Sequence, residues 1–211
     1  MAMYKLYGSQ GSGAAAVEAA LVLADIPFRM VEAASWQPGP GLDELTRVNP
    51  LAQIPTLVQP DGSVMTESAA ILIHLGLAHP DSNLLPDGPL RAQAIRGLVY
   101  IAANCYAAIG IVDYPERYFS NPDEDVRKHI IAGTRKRLHY LWDVFADTFP
   151  AHPYLSGERL GALDLLATVV SKWSGARQHL ASSRPALSAL VQKIENDPRI
   201  AAIFARHWPP Q

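Results

Sequence analysis

An α/β unit built on a small mixed sheet, followed by an all-helical bundle, is the fold class this sequence predicts, on three observations. Residues 4–31 read as strand, helix, strand. Residues 53–75 read as a proline-entered hairpin that leads straight into a helix. Beyond residue 89 the apolar residues recur at helical spacing and no segment alternates convincingly.

The elements follow in order. Tyr4-Lys5-Leu6-Tyr7 is a short strand closed by Gly8. The small residues of Gly8-Ser9-Gln10-Gly11-Ser12-Gly13 make a loop whose backbone can approach a ligand closely. From Ala14 to Ala24 a helix sets Val17, Ala20, Leu21 and Ala24 on one face, and Pro27 to Val31 alternates as a second strand. Between Ala33 and Arg47, prolines and glycines around Trp36 predict an irregular loop with one short helix. Thr56–Val58 and Ser63–Met65 are strand-like runs joined by the turn signal Gln59-Pro60-Asp61-Gly62. Pro55 stands at a strand mouth, where a cis bond after Ile54 turns the chain and aims the Ile54 backbone groups outward. Ser68 is the expected N-cap of a helix carrying Ile71, Leu72 and Leu75. The N–H groups at such a helix start can hold a carboxylate. This β-α-β-loop-β-β-α series is the thioredoxin-like order.

From His79-Pro80-Asp81 to Pro89 the chain reads as a linker. The helical part then comprises Arg91 to Ile111, with Ile95, Leu98, Val99 and Ala102 inward, and Asp123 to Phe149, with a stripe of Leu138, Leu141, Trp142 and Phe145. Gly161 to Leu180, Ala186 to Glu195 and Arg199 to His207 complete the bundle.

Composition narrows the function. A net charge of −2, with no basic run longer than Arg135-Lys136-Arg137, gives no electrostatic reason to expect nucleic acid or an anionic membrane. No signal-peptide core appears in the first ten residues and no stretch reads as a membrane span, so a cytoplasmic protein is expected. The single cysteine, Cys105, excludes an internal disulfide and a cysteine-based zinc site; the seven histidines lack metal-ligand spacing, and no metal is expected.

Gln53-Ile54-Pro55-Thr56-Leu57 and Thr66-Glu67-Ser68-Ala69-Ala70-Ile71, preceded by Asn49-Pro50, resemble the cis-proline segment and the glutamyl-binding motif of the cytosolic glutathione transferases. The resemblance implies a thioredoxin-like glutathione-binding domain over residues 1–78, a linker at 79–88 and a helical domain over 89–211. It implies glutathione as cosubstrate, held by Ile54 backbone groups, by Glu67 and Ser68 at the γ-glutamyl end, and by Gln53 near the glycyl arm; Trp36 and Arg47 are weaker candidates. Glutathione's thiol must become a thiolate, which a hydroxyl donor and a helix N-terminus can favour. Ser12 matches the serine-type position and ranks first, followed by Tyr7 and Ser9. Gly13 stands where a cysteine-type class carries its cysteine, which disfavours that mechanism. The resemblance also implies an apolar electrophile lying against Tyr106, Ile109, Asp113 and Tyr114, with Trp208 closing the pocket, and a homodimer. Gly161 and Asp164 match the family's helix-capping motif, Gly161 replacing the usual hydroxyl residue.

Other readings remain open at this level. Gly11-Ser12-Gly13-Ala14-Ala15-Ala16 with Glu32 suits a dinucleotide-binding turn locally, but that fold needs more parallel strands than follow. A catalytically weak interaction or regulatory module shares the same scaffold, as does a glutathione-dependent isomerase or peroxidase. A thiol reductase lacks its cysteine.

Overall fold

The computed structural model describes residues 3–34, 36–120 and 123–209. Its first half is a four-stranded mixed sheet in the order β2-β1-β3-β4, made of β1 (Tyr4–Gly8), β2 (Phe28–Glu32), β3 (Thr56–Val58) and β4 (Val64–Thr66). β1 pairs parallel with β2 and antiparallel with β3, and β3 pairs antiparallel with β4. Helices α1 (Ala14–Leu23), α2 (Pro40–Val48) and α3 (Ser68–Ala78) cover it, in the thioredoxin-like order the sequence predicts.

β1 is central and buried on both faces, so its apolar run is nearly continuous. Leu6 points into the main core with Val17 and Leu21 of α1 and with Ile71, Leu72 and Leu75 of α3. Tyr7, one residue on, points the opposite way, into a small second core with Ala33 and Leu45 beneath α2. In α1 every residue from Ala14 to Leu21 is buried, because the helix lies between the sheet and the helical half. Its alanines permit that close approach, while Val17 and Leu21 each contribute ~1.5–3 kcal/mol by leaving water.

The helical half comprises α4 (Pro89–Tyr100), α5 (Ala107–Asp113), α6 (Glu124–Thr148), α7 (Ala162–Val170), α8 (Ala176–Ser183), α9 (Pro185–Glu195) and α10 (Ala201–His207). Asp123 caps α6, its carboxylate accepting from the N–H groups of Asp125 and Val126. Three expectations are corrected here. α4 and α5 are one helical run joined by a π-helical turn, Ile101–Tyr106, and by length and composition that run could cross a membrane. It instead lays Leu98, Ile101, Cys105 and Ala108 into the protein core. Val99, expected inward, is 51% exposed: it lies about 100° from Leu98 around the helix, and Leu98 takes the core position. The single helix expected over 161–180 is two, separated by a turn at Ser171–Gly175 with Ser174 and Gly175 at positive φ.

The capping motif of α7 is built on Asp164, which accepts from the N–H groups of Leu155 (2.8 Å), Ser156 (3.0 Å) and Gly161 (3.1 Å). A β-carbon on Gly161 would sit 2.7 Å from the Leu84 carbonyl oxygen and 2.8 Å from Ser156 Oγ. Close packing against Leu84 and Ser156, rather than capping strength, is what glycine serves there.

Candidate functional site

Two chain reversals and one loop converge beside the domain boundary. The Ile54–Pro55 bond is cis. The buried Asn49 shapes the turn before it, donating to the Gln53 carbonyl (3.1 Å) and to Thr56 Oγ1 (3.0 Å) and accepting from the Leu51 N–H (3.1 Å). Among the described residues, the N–H and C=O of Ile54 have no hydrogen-bond partner in the protein. The β3–β4 register pairs Thr56 with Thr66, which one step further sets Pro55 opposite Glu67.

Glu67 has φ 65° and ψ 109°, a conformation that costs a non-glycine residue ~1–3 kcal/mol. It occupies the N-cap position, and Ser68 is the first helical residue, which corrects the expected placement of the cap by one. Neither side chain caps the helix. The first internal bond runs from Ile71 N–H to the Glu67 carbonyl, so the amides of Ser68, Ala69 and Ala70 have no partner among the described residues. These groups, with the buried Ser68 hydroxyl, form an anion-binding concavity, and the exposed Glu67 carboxylate beside them suits a cation.

The loop after β1 carries the sulfur-site candidates. Ser12 Oγ donates to the Ser9 carbonyl at 2.6 Å and accepts from the N–H groups of Ser9 and Ala14 at 3.3 Å each. Its one proton is engaged within the loop. Tyr7, ranked second, is displaced from this site: its hydroxyl donates to Glu44 Oε1 at 2.9 Å beneath α2, where Lys5 Nζ also reaches Glu44 at 2.6 Å. Burial and the bonded Glu44 carboxylate both raise its pKa. Ser9 is buried, and its hydroxyl makes no hydrogen bond among the described residues.

Helix α10 clasps the same loop. The Gly11 N–H donates to His207 Nδ1 (3.1 Å), and Gln10 Nε2 donates to the Arg206 carbonyl (3.0 Å). Glu18, buried in α1, bonds His207 Nε2 (2.9 Å) and the Arg206 guanidinium. Because Nδ1 accepts, the proton of a neutral His207 sits on Nε2, facing Glu18.

From the helical half, Tyr106, Trp173 and Trp208 form a continuous aromatic wall, with ring centroids 5.6 Å apart for Tyr106–Trp173 and 6.4 Å for Trp173–Trp208. A β-carbon on Gly13 would collide with the Tyr106 hydroxyl, and one on Gly11 would lie 3.9 Å from Trp208 Nε1. The wall therefore faces the loop. Trp173 is missing from the sequence expectations because the turn that carries it reads as helix interior. Ile109 is buried in the core, and Tyr114 turns outward with the Arg117 guanidinium 4.0 Å over its ring, so neither shares the wall. Cys105 is fully buried, and burial pushes its thiol pKa up to about 12. Trp36 and Arg47 are exposed, as is Gln53.

Residues 14–77 match the profile of the glutathione S-transferase N-terminal domain. The chain is 31% identical over 207 residues to the uncharacterized GST-like protein YncG of Escherichia coli (strain K12), covering 97% of this chain and 98% of that one. It is 25% identical over 160 residues to glutathione S-transferase GstA of Escherichia coli O157:H7, 75% of each chain. A Sulfitobacter glutathione transferase homolog solved with glutathione bound superposes with a TM-score of 0.83 over 96% of this chain and 97% of that one; at 22% identity it speaks for the fold. The Methylobacterium radiotolerans glutathione S-transferase, solved with glutathione sulfonate, is 27% identical with a TM-score of 0.76, covering 95% and 94% of the two chains. Identity of this depth along nearly the whole of both chains, on a thioredoxin-like sheet joined to a helical bundle, places the chain in the cytosolic glutathione transferase family.

Proposed function

We propose that the protein is a glutathione transferase, joining the sulfur of glutathione to a small apolar electrophile and working as a cytoplasmic homodimer. The observation that carries this reading is the open helix start facing the cis-proline turn. Three amides without partners among the described residues and the Ser68 hydroxyl suit the γ-glutamyl carboxylate, and the Glu67 carboxylate suits the neighbouring ammonium. The N–H and C=O of Ile54, unpaired among the described residues, offer strand-like bonds to the cysteinyl unit, which directs the sulfur toward Pro55 and the loop bearing Ser12. Gln53, at the same turn, reaches the glycyl arm. The electrophile then lies against Tyr106, Trp173 and Trp208, an apolar wall suited to an uncharged substrate.

One observation favours a second reading, a scaffold that binds glutathione and acts as an interaction module. The protons of Ser12 and Tyr7 are both committed within the protein, so neither is free for the thiol as the chain stands. Calorimetry with reduced glutathione tests the binding site shared by both readings. The wild type binds saturably, and Ser68→Ala weakens binding about 10- to 100-fold by removing a hydrogen bond to a charged group. An absence of binding at millimolar glutathione, or an unchanged affinity in the variant, contradicts this assignment.

A further inference from the structure

Three hydroxyls have been placed: Ser12 donates within its loop, Tyr7 donates to Glu44, and Ser9 is buried with no partner for its hydroxyl among the described residues. A fourth reaches the same place from the other half of the chain. Tyr106 is the last residue of the π-helical turn that joins α4 to α5. Such turns insert an extra residue, shift the helix face that follows, and recur at functional sites. Here the turn delivers the Tyr106 ring to the amino end of α1, where Trp173 packs against it.

Gly13 shows how close the approach is. Its φ of −62° is open to any residue, so the backbone does not require glycine. A β-carbon there would collide with Tyr106 Oη, and the same point lies 3.6 Å from Pro55 Cδ. The hydroxyl thus stands where the α1 start meets the cis-proline turn. It has no hydrogen-bond partner among the described residues, unlike the hydroxyls of Ser12 and Tyr7.

We propose that Tyr106 is the catalytic hydroxyl, donating its O–H to the glutathione sulfur and holding it as a thiolate. The inference rests on the glutathione site proposed above. Burial, with the Glu67 and Asp113 carboxylates nearby, pushes the Tyr106 pKa up to about 12, so it remains a donor across physiological pH. Glu67 opposes a thiolate only while unpaired, and the γ-glutamyl ammonium neutralises it. In the reaction the thiol releases its proton to water, leaving an electron pair on sulfur that accepts the Tyr106 hydrogen bond. Sulfur then attacks the electrophilic carbon: the C–S bond forms, the bond to the leaving group breaks, and that group departs with its electron pair. Tyr106 keeps its proton throughout.

The test is a pH titration of the ultraviolet thiolate absorbance of glutathione bound to the wild type and to Tyr106→Phe, Ser12→Ala and Ser9→Ala. Tyr106→Phe keeps the ring and removes one oxygen; it raises the bound thiol's pKa by about one to two units and lowers kcat/KM about 10- to 100-fold. Its glutathione Kd, measured below the thiol pKa, stays within about threefold. Gly13→Ala, which pushes a methyl group against the same hydroxyl, raises the thiol pKa in the same direction. An unchanged thiol pKa in Tyr106→Phe, with the rise appearing in Ser12→Ala or Ser9→Ala, overturns the assignment while leaving the glutathione site intact. A loss confined to electrophile KM also overturns it and leaves Tyr106 as a pocket wall. A wild type that binds no glutathione sinks both readings.

Discussion

Tyr7, Lys5 and Glu44 join β1 to α2 through a pair of hydrogen bonds that converge on a single carboxylate oxygen. The bond from Lys5, followed by that from Tyr7, holds the Glu44 pKa below the usual carboxylate range. A lowered folded-state pKa favours the charged form in the folded protein, so this contribution is present above the ordinary glutamate pKa and lost as pH falls through the folded value. Tyr7 is buried, but Lys5 and Glu44 are each about one-third exposed, and screening by water holds the ion pair's contribution to about 1 kcal/mol or less. Glu44→Gln accordingly lowers the urea midpoint slightly at neutral pH, and the two proteins converge as the pH drops below the ordinary glutamate pKa and through the lowered folded value, a comparison that denaturation at several pH values makes. The cis Ile54–Pro55 bond was legible in the sequence because proline, which lacks an N–H, is confined in a sheet to edges and strand starts, and a cis bond suits a sharp entry there. The fate of Tyr7 was less so: its partner lies 37 residues away in a helix that the sequence marked only weakly. Strand alternation did hold a clue, since Leu6 and Tyr7 cannot face the same side.

At the scale of elements, the hairpin and the start of α3 agree with the pattern of turn residues, apart from the one-residue shift of the cap to Glu67. The helical run over 89–113 departs further, because a π-turn breaks the 3.6-residue period on which the inward face was read. Tyr106 could be placed near a pocket from sequence, but its approach to Gly13 depends on that turn and on Trp173, which no local signal marks. The α7–α8 break is hidden for a related reason: Lys172-Trp173-Ser174-Gly175 carries one glycine and otherwise tolerates helix. Val99, exposed on this run, and Leu77, exposed on α3, are apolar residues suited to the proposed homodimer. Sedimentation velocity at micromolar concentration is expected to show a dimer for the wild type and a shift toward monomer for Val99→Asp. A wild-type monomer contradicts the assembly.

In the whole molecule, the helical half supplies more than a lid. Helix α10 fixes the loop after β1 through Gln10 and Gly11 and holds α1 through Glu18, and the Tyr106–Trp173–Trp208 wall faces that loop across the boundary. In the proposed reading glutathione is held by the sheet half and the electrophile by the helical half, so the chemistry would require both to be in register. The two-part architecture was legible because periodicity changes from strand-containing to purely helical near residue 89. The clasp was not, since it pairs His207 with Glu18, at opposite ends of the chain. The proposed turnover of glutathione is tested by the steady-state rate of its conjugation to an activated aryl halide. An enzyme-dependent rate is expected that saturates in glutathione and falls about 10- to 100-fold in Tyr106→Phe. Tight glutathione binding with no rate above the uncatalysed reaction, across aryl halides, peroxides and isomerisable substrates, would contradict it and leave the interaction module as the function of this fold.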